Sequence, residues 1–299
     1  MVLQPLLLNL YSEWDDEEEL PIKQNLEALV NGEITPTDLA LDLDNHIASN
    51  NTRQHAQMMK RPEPWRCTLT PEEESRGVSI YRLAPNPKPE IDTIYETTAR
   101  LCAAFPPYHA GQNLIIEILE ALRDLPRHEV YLFSSHNPER PFPTMTLWPI
   151  QGCLAGPFER ELPACYPPYR WRNINSAMAR LTTLGLFDCS WLSSLFDILP
   201  SSGEYPDLER RPIDGPNKLG NYMLGAAQWV IRPDECRYVY RRCQEEEGAG
   251  ERRVQWSMGH WREWKRQFGF VAGDERFAEK YRDLARQAYL QMTACEEGG

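Results

Sequence analysis

Apolar residues recur at three- and four-residue intervals along most of the chain, the spacing that lays one apolar stripe along a helix. Ile22, Leu26 and Leu29, then Leu39, Leu43 and Ile47, predict two short helices between Leu20 and about Ala48. Thr35-Pro36 between them supplies a cap and a first-turn proline. Ile91 to Phe105 reads as a helix stopped by Pro106-Pro107; Gln112 to Leu125 reads as another, with Leu114, Ile115, Ile118, Leu119 and Leu122 on a broad face. Further on, Asn173 is placed to cap a helix carrying Ile174, Ala177, Met178, Leu181 and Leu184, and Ser190 to Leu199 continues as helix up to Pro200. Leu219 to Ile231 and Asp234 to about Gln244 follow on either side of Pro233. Beyond EEEGAGERR, Trp261, Trp264 and Phe268 share one face of a short helix, and Phe277, Tyr281, Leu284, Ala288 and Met292 line the last one.

Prolines and charges interrupt this pattern from Arg61 to Pro89 (RPEPW, TPEEE, APNPKPE), predicting a long surface connection, either an ordered lid or a mobile insert. Residues 136 to 170 are again rich in proline, aromatics and glycine. VYLF at 130 to 133 is the one plausible strand, too isolated to build a sheet. The prediction is an all-α fold: a single domain of roughly nine helices with long proline-rich loops. Residues 1–60 form an N-terminal helical segment, 61–90 the connection and 91–299 the helical core.

Composition narrows the partners. With 41% hydrophobic and 25% charged residues the chain is globular in character, despite 25 prolines. Its net charge of −12 repels phosphate backbones and anionic headgroups, so nucleic acid is not an expected partner. No stretch approaches the roughly 20 apolar residues of a membrane span. The opening MVLQPLLLNLYSEWDDEEEL lacks a basic residue ahead of its apolar run, which argues against export. Eight cysteines without a CxxC or CxH pair read as reduced, mostly buried thiols, and the expected location is cytoplasmic.

Motif chemistry is sparse. GxSxG, GxGxxG, GxxxxGK and HExxH are missing, and the cysteines and histidines have no zinc spacing, so no cofactor and no metal is expected. Asp15-Asp16-Glu17-Glu18-Glu19 contains a DDxxE spacing able to hold magnesium diphosphate, although a solvated acidic run is the simpler reading and no second metal motif follows. His260 and Glu263, three apart on a predicted helix, form a candidate acid/base pair. Arg180, beside an apolar face, requires a partner such as Asp188, Glu161 or a substrate carboxylate. His109 in PPYHAG either contacts a ligand or caps the next helix. Trp171, Asn175, Trp229, Trp261 and Trp264 are candidate ligand-lining residues, or ordinary filling between helices.

Several of these positions belong to longer patterns. WRNINSAMARLTTLGLFD supplies Trp171, Asn173, Asn175, Ala179, Arg180, Leu181 and Asp188; AAQWVI covers Ala226 to Ile231; HWREWKRQF covers His260 to Phe268. Together with FPPYHAGQNLIIEILEALRDLP and the LWPIQGCLAGPFERE region upstream, these stretches resemble, in order, the fungal family catalogued as domain of unknown function 3632. The resemblance runs from about residue 90 onward and implies an all-helical fungal intracellular protein, with no activity and no catalytic residue to carry over.

Two functions from different classes remain. One is a cofactor-independent enzyme of cyclase or isomerase type acting on a hydrophobic fungal secondary metabolite, with His260, Glu263, Arg180 or His109 moving a proton or stabilising charge inside an aromatic cavity. The other is a non-catalytic helical interaction module whose acidic surface docks a basic partner. A pocket of several hundred cubic ångströms lined by these tryptophans and histidines favours the enzyme; a solid core favours the module.

Overall fold

The computed structural model describes residues 7–17, 19–135, 140–148, 153–165, 167–200, 218–247 and 256–298. The helical prediction holds. In chain order the helices are α1 (Glu19–Val30), α2 (Pro36–Lys60), α3 (Pro71–Ser75), α4 (Ile80–Leu83), α5 (Lys88–Ala104), α6 (Ala110–Asp124), α7 (Gly156–Glu161), α8 (Pro168–Thr183), α9 (Lys218–Ala227), α10 (Pro233–Glu247), α11 (Met258–Gly273) and α12 (Glu279–Gly298). Nine have seven residues or more, and the described strands are short: β1 (Glu129–Tyr131), β2 (Thr144–Thr146), β3 (Cys153–Leu154) and β4 (Phe187–Asp188).

Contacts group the chain into two compact units that interleave in sequence. One comprises residues 9–98 and 113–151; the other comprises residues 1–8, 99–112 and 152–299. The first holds 23 Asp and Glu against 11 Lys and Arg, whereas the second holds 21 of each, so the entire net charge of −12 belongs to the first. We refer to them as the acidic and the neutral unit.

In the acidic unit, the Thr35 hydroxyl accepts from the Asp38 N–H and Pro36 opens α2, as the sequence indicates, but the helix runs on to Lys60 well past the predicted end. The extension is explained by Asn51 and Met58, which find buried places on its inner face. Asn51 Nδ2 donates to the Tyr131 carbonyl at 2.7 Å and its Oδ1 accepts from the Tyr131 N–H at 2.8 Å. One side-chain amide thus serves a strand residue as a neighbouring strand would. β2 pairs antiparallel with β1, Val130 opposite Met145, so the VYLF strand that looked isolated gains a partner from a proline-rich segment.

The surface connection at residues 61–90 has local structure of its own. Helices α3 and α4 and a short turn at Glu63–Trp65 occupy them; Ala84 is fully buried against Met58 and Phe133, with Ile80, Leu83, Cys67 and Phe142 packed around. Thr70 and Glu73 form a reciprocal capping box on α3, and Glu73 also meets Arg61 at 2.5 Å. The prolines shorten the helices without preventing burial.

In the neutral unit, α11 packs along α12, and α9 packs against α8 and α12. Gly220 makes the α9 to α12 approach possible: a Cβ there would stand 2.6 Å from the Tyr281 ring. Two predictions are corrected here. Helix α8 starts at Pro168, not at Asn173, because Pro at the first position costs no donor; Asn173 lies inside the helix, buried, with Nδ2 donating to the Ala103 and Ala104 carbonyls at 3.1 and 3.3 Å. Residues 190–199 form two single 3-10 turns, Ser190–Leu192 and Phe196–Ile198, in place of one helix. Residues 248–255, which include most of the EEEGAGERR stretch, lie outside the described set, as do 136–139 and 201–217.

Candidate functional site

The acidic unit gathers its charge at the junction of α1 and α5. Asp16, Glu19 and Ile22 on one side and Pro89, Glu90, Asp92, Thr93 and Glu96 on the other enclose a surface cleft of about 190 Å³. Five of these eight residues are carboxylates. Beside them Lys23, 6% exposed, contacts Asp15 at 2.5 Å and Glu19 at 3.5 Å, and Asn50 Nδ2 donates to Glu90 at 3.3 Å. Asp92 and Glu96 stand one turn apart on α5, a like-charge pairing that costs a helix a few tenths of a kcal/mol. Nearby, Tyr11 donates to Glu27, and burial together with that carboxylate pushes the phenol up to about 12.

Among the described residues no group of three or more His, Cys, Asp or Glu is arranged to hold a metal ion. The carboxylates come from both sides of the cleft and are not gathered into a metal-holding group, which suits several ammonium or guanidinium groups better than one hard cation. The DDxxE run is split in the fold: Asp15 is taken by Lys23, Asp16 and Glu19 enter the cleft, and Glu18 lies outside the described residues.

The candidate histidines, tryptophans, Asn175, Arg180 and Glu263 fall in the neutral unit, most of them in two clusters. Asn175, fully buried on α8, is the hub of the first. Its Oδ1 accepts from Trp229 Nε1 at 3.1 Å and from the Ser194 N–H at 3.4 Å, while Nδ2 donates to the Trp171 carbonyl at 3.0 Å. Gly225 of α9 closes over this cluster, and a Cβ there would lie 2.5 Å from Trp171 Nε1 and 2.6 Å from Ser194 Oγ. From Trp229 an edge-to-face chain continues to Trp256 (5.8 Å between centroids), Trp264 (6.2 Å) and Phe196 (6.0 Å). His260 joins this chain beside Trp264 at 5.7 Å and Phe196 at 6.2 Å.

Trp261, on the same helix α11, turns the other way: its Nε1 donates to Glu296 at 2.7 Å and its ring meets Tyr240 at 4.8 Å. Glu263 holds Arg266 at 2.7 Å and accepts from Gln267 Nε2. Lys265 reaches the second oxygen of Glu296 at 2.5 Å. Burial works against the Glu296 carboxylate, but these bonds from Lys265 and Trp261 outweigh it and lower its pKa.

The second cluster surrounds Tyr108, whose backbone is left-handed (φ 59°). The guanidinium groups of Arg180 and Arg232 lie 4.4 and 4.6 Å from the Tyr108 ring centroid. Its hydroxyl donates to the buried Glu235 at 2.7 Å, and burial plus that carboxylate raise the phenol far above its ordinary value. Arg180 also donates to Gln112 Oε1 at 3.0 Å. Glu161 serves Arg170 (2.9 Å) and Arg100 (3.8 Å), and Asp188 serves Ser190. His109 is exposed, stacks on Phe105 at 5.1 Å, and its Nδ1 accepts from the Gly111 N–H at 3.1 Å, capping the start of α6.

No family model, curated protein or solved structure matches this chain. The chemistry therefore rests on the side chains themselves. Described residues line several surface clefts; three of them are the acidic one, one of about 280 Å³ along α10 and the end of α12, and one of about 470 Å³ at α8, α9 and α12. None of His109, Trp171, Asn175, Arg180, Trp229, His260, Trp261, Glu263 or Trp264 lines any of the three.

Sequence reasoning missed Glu90, Asp92 and Glu96. KPEIDTIYETT reads first as an apolar-striped helix, and its acids stand about 70 positions from Asp16 and Glu19. Acidic residues on the exposed side of one helix start, combined with an acidic run elsewhere, are the only trace a sequence could carry.

Proposed function

We propose that this protein is a helical interaction module whose acidic unit docks a Lys/Arg-rich protein segment in the cleft between α1 and α5. The observation that supports the reading is the concentration of the whole net charge on one unit, with five carboxylates of that unit around a single cleft. An array of this kind steers a cationic chain toward the surface and holds it through several charge-assisted hydrogen bonds. Ile22 and Pro89 in its lining add apolar surface for the stems of long basic side chains.

A cofactor-independent cyclase or isomerase would need a cavity faced by His260, Glu263, Arg180 or His109. In the described residues these side chains engage Trp264, Arg266, Tyr108 and Phe105 respectively. That leaves the interaction module as the reading with more support.

The test is fluorescence anisotropy with a labelled twelve-residue Lys/Arg-rich peptide, and with its Asp/Glu counterpart as control. Wild type should bind the basic peptide alone, with affinity falling as salt rises through the range where the Debye length shrinks from about 10 Å. Reversing Glu90 and Glu96 (Glu90→Lys with Glu96→Lys) should weaken binding at least about tenfold. Reversing the exposed Glu33 and Asp42 outside the cleft should change it about twofold or less. Equal losses in both double variants would reduce the effect to bulk charge and sink the proposal.

A further inference from the structure

The largest of the three clefts belongs to the neutral unit and differs in kind from the acidic one. Pro168, Tyr169 and Arg172 of α8, Leu224 of α9, and Lys280 and Leu284 of α12 line about 470 Å³, within the size range of small-molecule sites, about 300–1,000 Å³. Four of the six are apolar or aromatic, two are cations, and none is acidic.

The two cations are set apart by what they lack. Cations such as Arg170, Lys265 and Arg276 in this unit meet carboxylates, Glu161, Glu296 and Asp274 respectively. Arg172 instead gives its Nε and Nη2 to the Asn173 amide oxygen at 3.2 and 2.9 Å, and no carboxylate among the described residues pairs with it. Lys280 is exposed, lies 4.7 Å from the adjacent Tyr281 ring, and forms no ion pair among the described residues.

Arg172 is also held in place. Its acceptor, Asn173, is buried and anchored by its own Nδ2 to two backbone carbonyls, so the guanidinium is fixed through Nε and Nη2 while Nη1 takes no part in either bond. Partial burial draws its pKa below the ordinary arginine range, the mark of a charge that has given up water without a countercharge. An arriving anion would restore that balance.

We infer that this groove binds a single-chain amphiphile with an anionic head, a free long-chain carboxylate, with its head on Arg172 and Lys280 and its chain along Tyr169, Leu224, Leu284 and Pro168. The inference is independent of the basic-peptide reading, since its residues belong to the other unit. Apolar walls reject a short hydrophilic anion, and the paired cations reject an amphiphile of opposite charge.

Isothermal titration calorimetry with dodecanoate below its micellar range tests this directly, with acetate and dodecyltrimethylammonium as head-only and opposite-charge probes. Dodecanoate should bind one per chain with a negative heat-capacity change, and the other two at least about tenfold more weakly. Lys280→Glu, a change at an exposed residue that leaves folding intact, should weaken dodecanoate about tenfold, and Arg172→Gln about as much or more. Leu284→Ser should weaken dodecanoate without improving acetate. Equal binding of dodecanoate and dodecyltrimethylammonium, or dodecanoate binding unaltered in Lys280→Glu, would overturn the proposal. So would a stoichiometry well above one, the sign of detergent-like adsorption.

Discussion

The two units solve the folding problem with different materials. The neutral unit balances its charges and sinks Trp229, Trp256, Trp261 and Trp264 to 2% exposure or less, each touching another aromatic ring. The acidic unit carries all twelve excess negative charges and leaves Trp14 85% exposed; it buries Trp148 and packs Phe133 against Tyr81 and Phe142, but most of its core is aliphatic helix face such as Leu26, Leu29, Leu39 and Leu43, with side-chain clamps such as Asn51. Aromatic burial contributes stability in proportion to area, whereas accumulated like charge subtracts from it. The difference separates a unit organised around a packed interior from one whose most distinctive feature faces outward.

The sharpest way to break this comparison is to empty part of the aromatic core. Trp264→Ala should cost about 3–5 kcal/mol in guanidinium denaturation, while Trp14→Ala in the acidic unit should stay within about 0.5 kcal/mol. Similar values for both would mean that the aromatic chain does not hold the neutral unit together.

Next in size is the clamp of the acidic unit. Asn51→Ala strips Tyr131 of a donor and an acceptor at once and should destabilise by about 1–3 kcal/mol, with faster amide exchange at Tyr131. An unchanged exchange rate there would show that β2 alone holds the strand. Gly225→Ala in the neutral unit belongs to the same range, about 1–3 kcal/mol, because its Cβ must displace Trp171 or Ser194. Its indole fluorescence should change along with its stability.

Acid sharpens the contrast more gently. Glu296 is held charged by Lys265 and Trp261, so its folded pKa lies below the unfolded value and its contribution is present above about pH 4.3. That contribution is lost as pH falls through the depressed pKa. Glu296→Gln should therefore flatten the decline of stability below about pH 4, by about 1 kcal/mol or less for a partly exposed pair. Parallel acid profiles for variant and wild type would remove this pair from the account. Glu263→Gln should have the smallest effect, within about 0.5 kcal/mol, since its Arg266 partner is surface-exposed.

Much of the architecture was legible in advance because helices are local. The stripe Ile22, Leu26, Leu29 and the Thr35-Pro36 start reappear as α1 and the cap of α2, and Trp261, Trp264 and Phe268 lie buried on α11 as their spacing indicated. What went astray depended on partners far away in sequence. Asn173 was read as a cap from its own position, yet its amide is occupied by carbonyls some 70 residues upstream. Proline density marked 61–90 as a long surface connection, either an ordered lid or a mobile insert, but could not show that its Ala84 is buried against Met58 and Phe133. Arg180 was matched to carboxylates by charge, and its place over the face of Tyr108, 72 positions upstream, was not visible in that reading.

The sequence by itself determined that this chain is helical, where most of its helices lie, and that it carries excess negative charge, since each of these follows from spacing and composition over a few turns. Only the tertiary structure decided that the excess charge falls on one unit, that Asp16 and Glu19 share a cleft with Glu90, Asp92 and Glu96, and that Arg172 and Lys280 border an apolar groove. Such arrangements join positions from about 50 to more than 100 residues apart, and no local periodicity records which distant helices will be packed side by side.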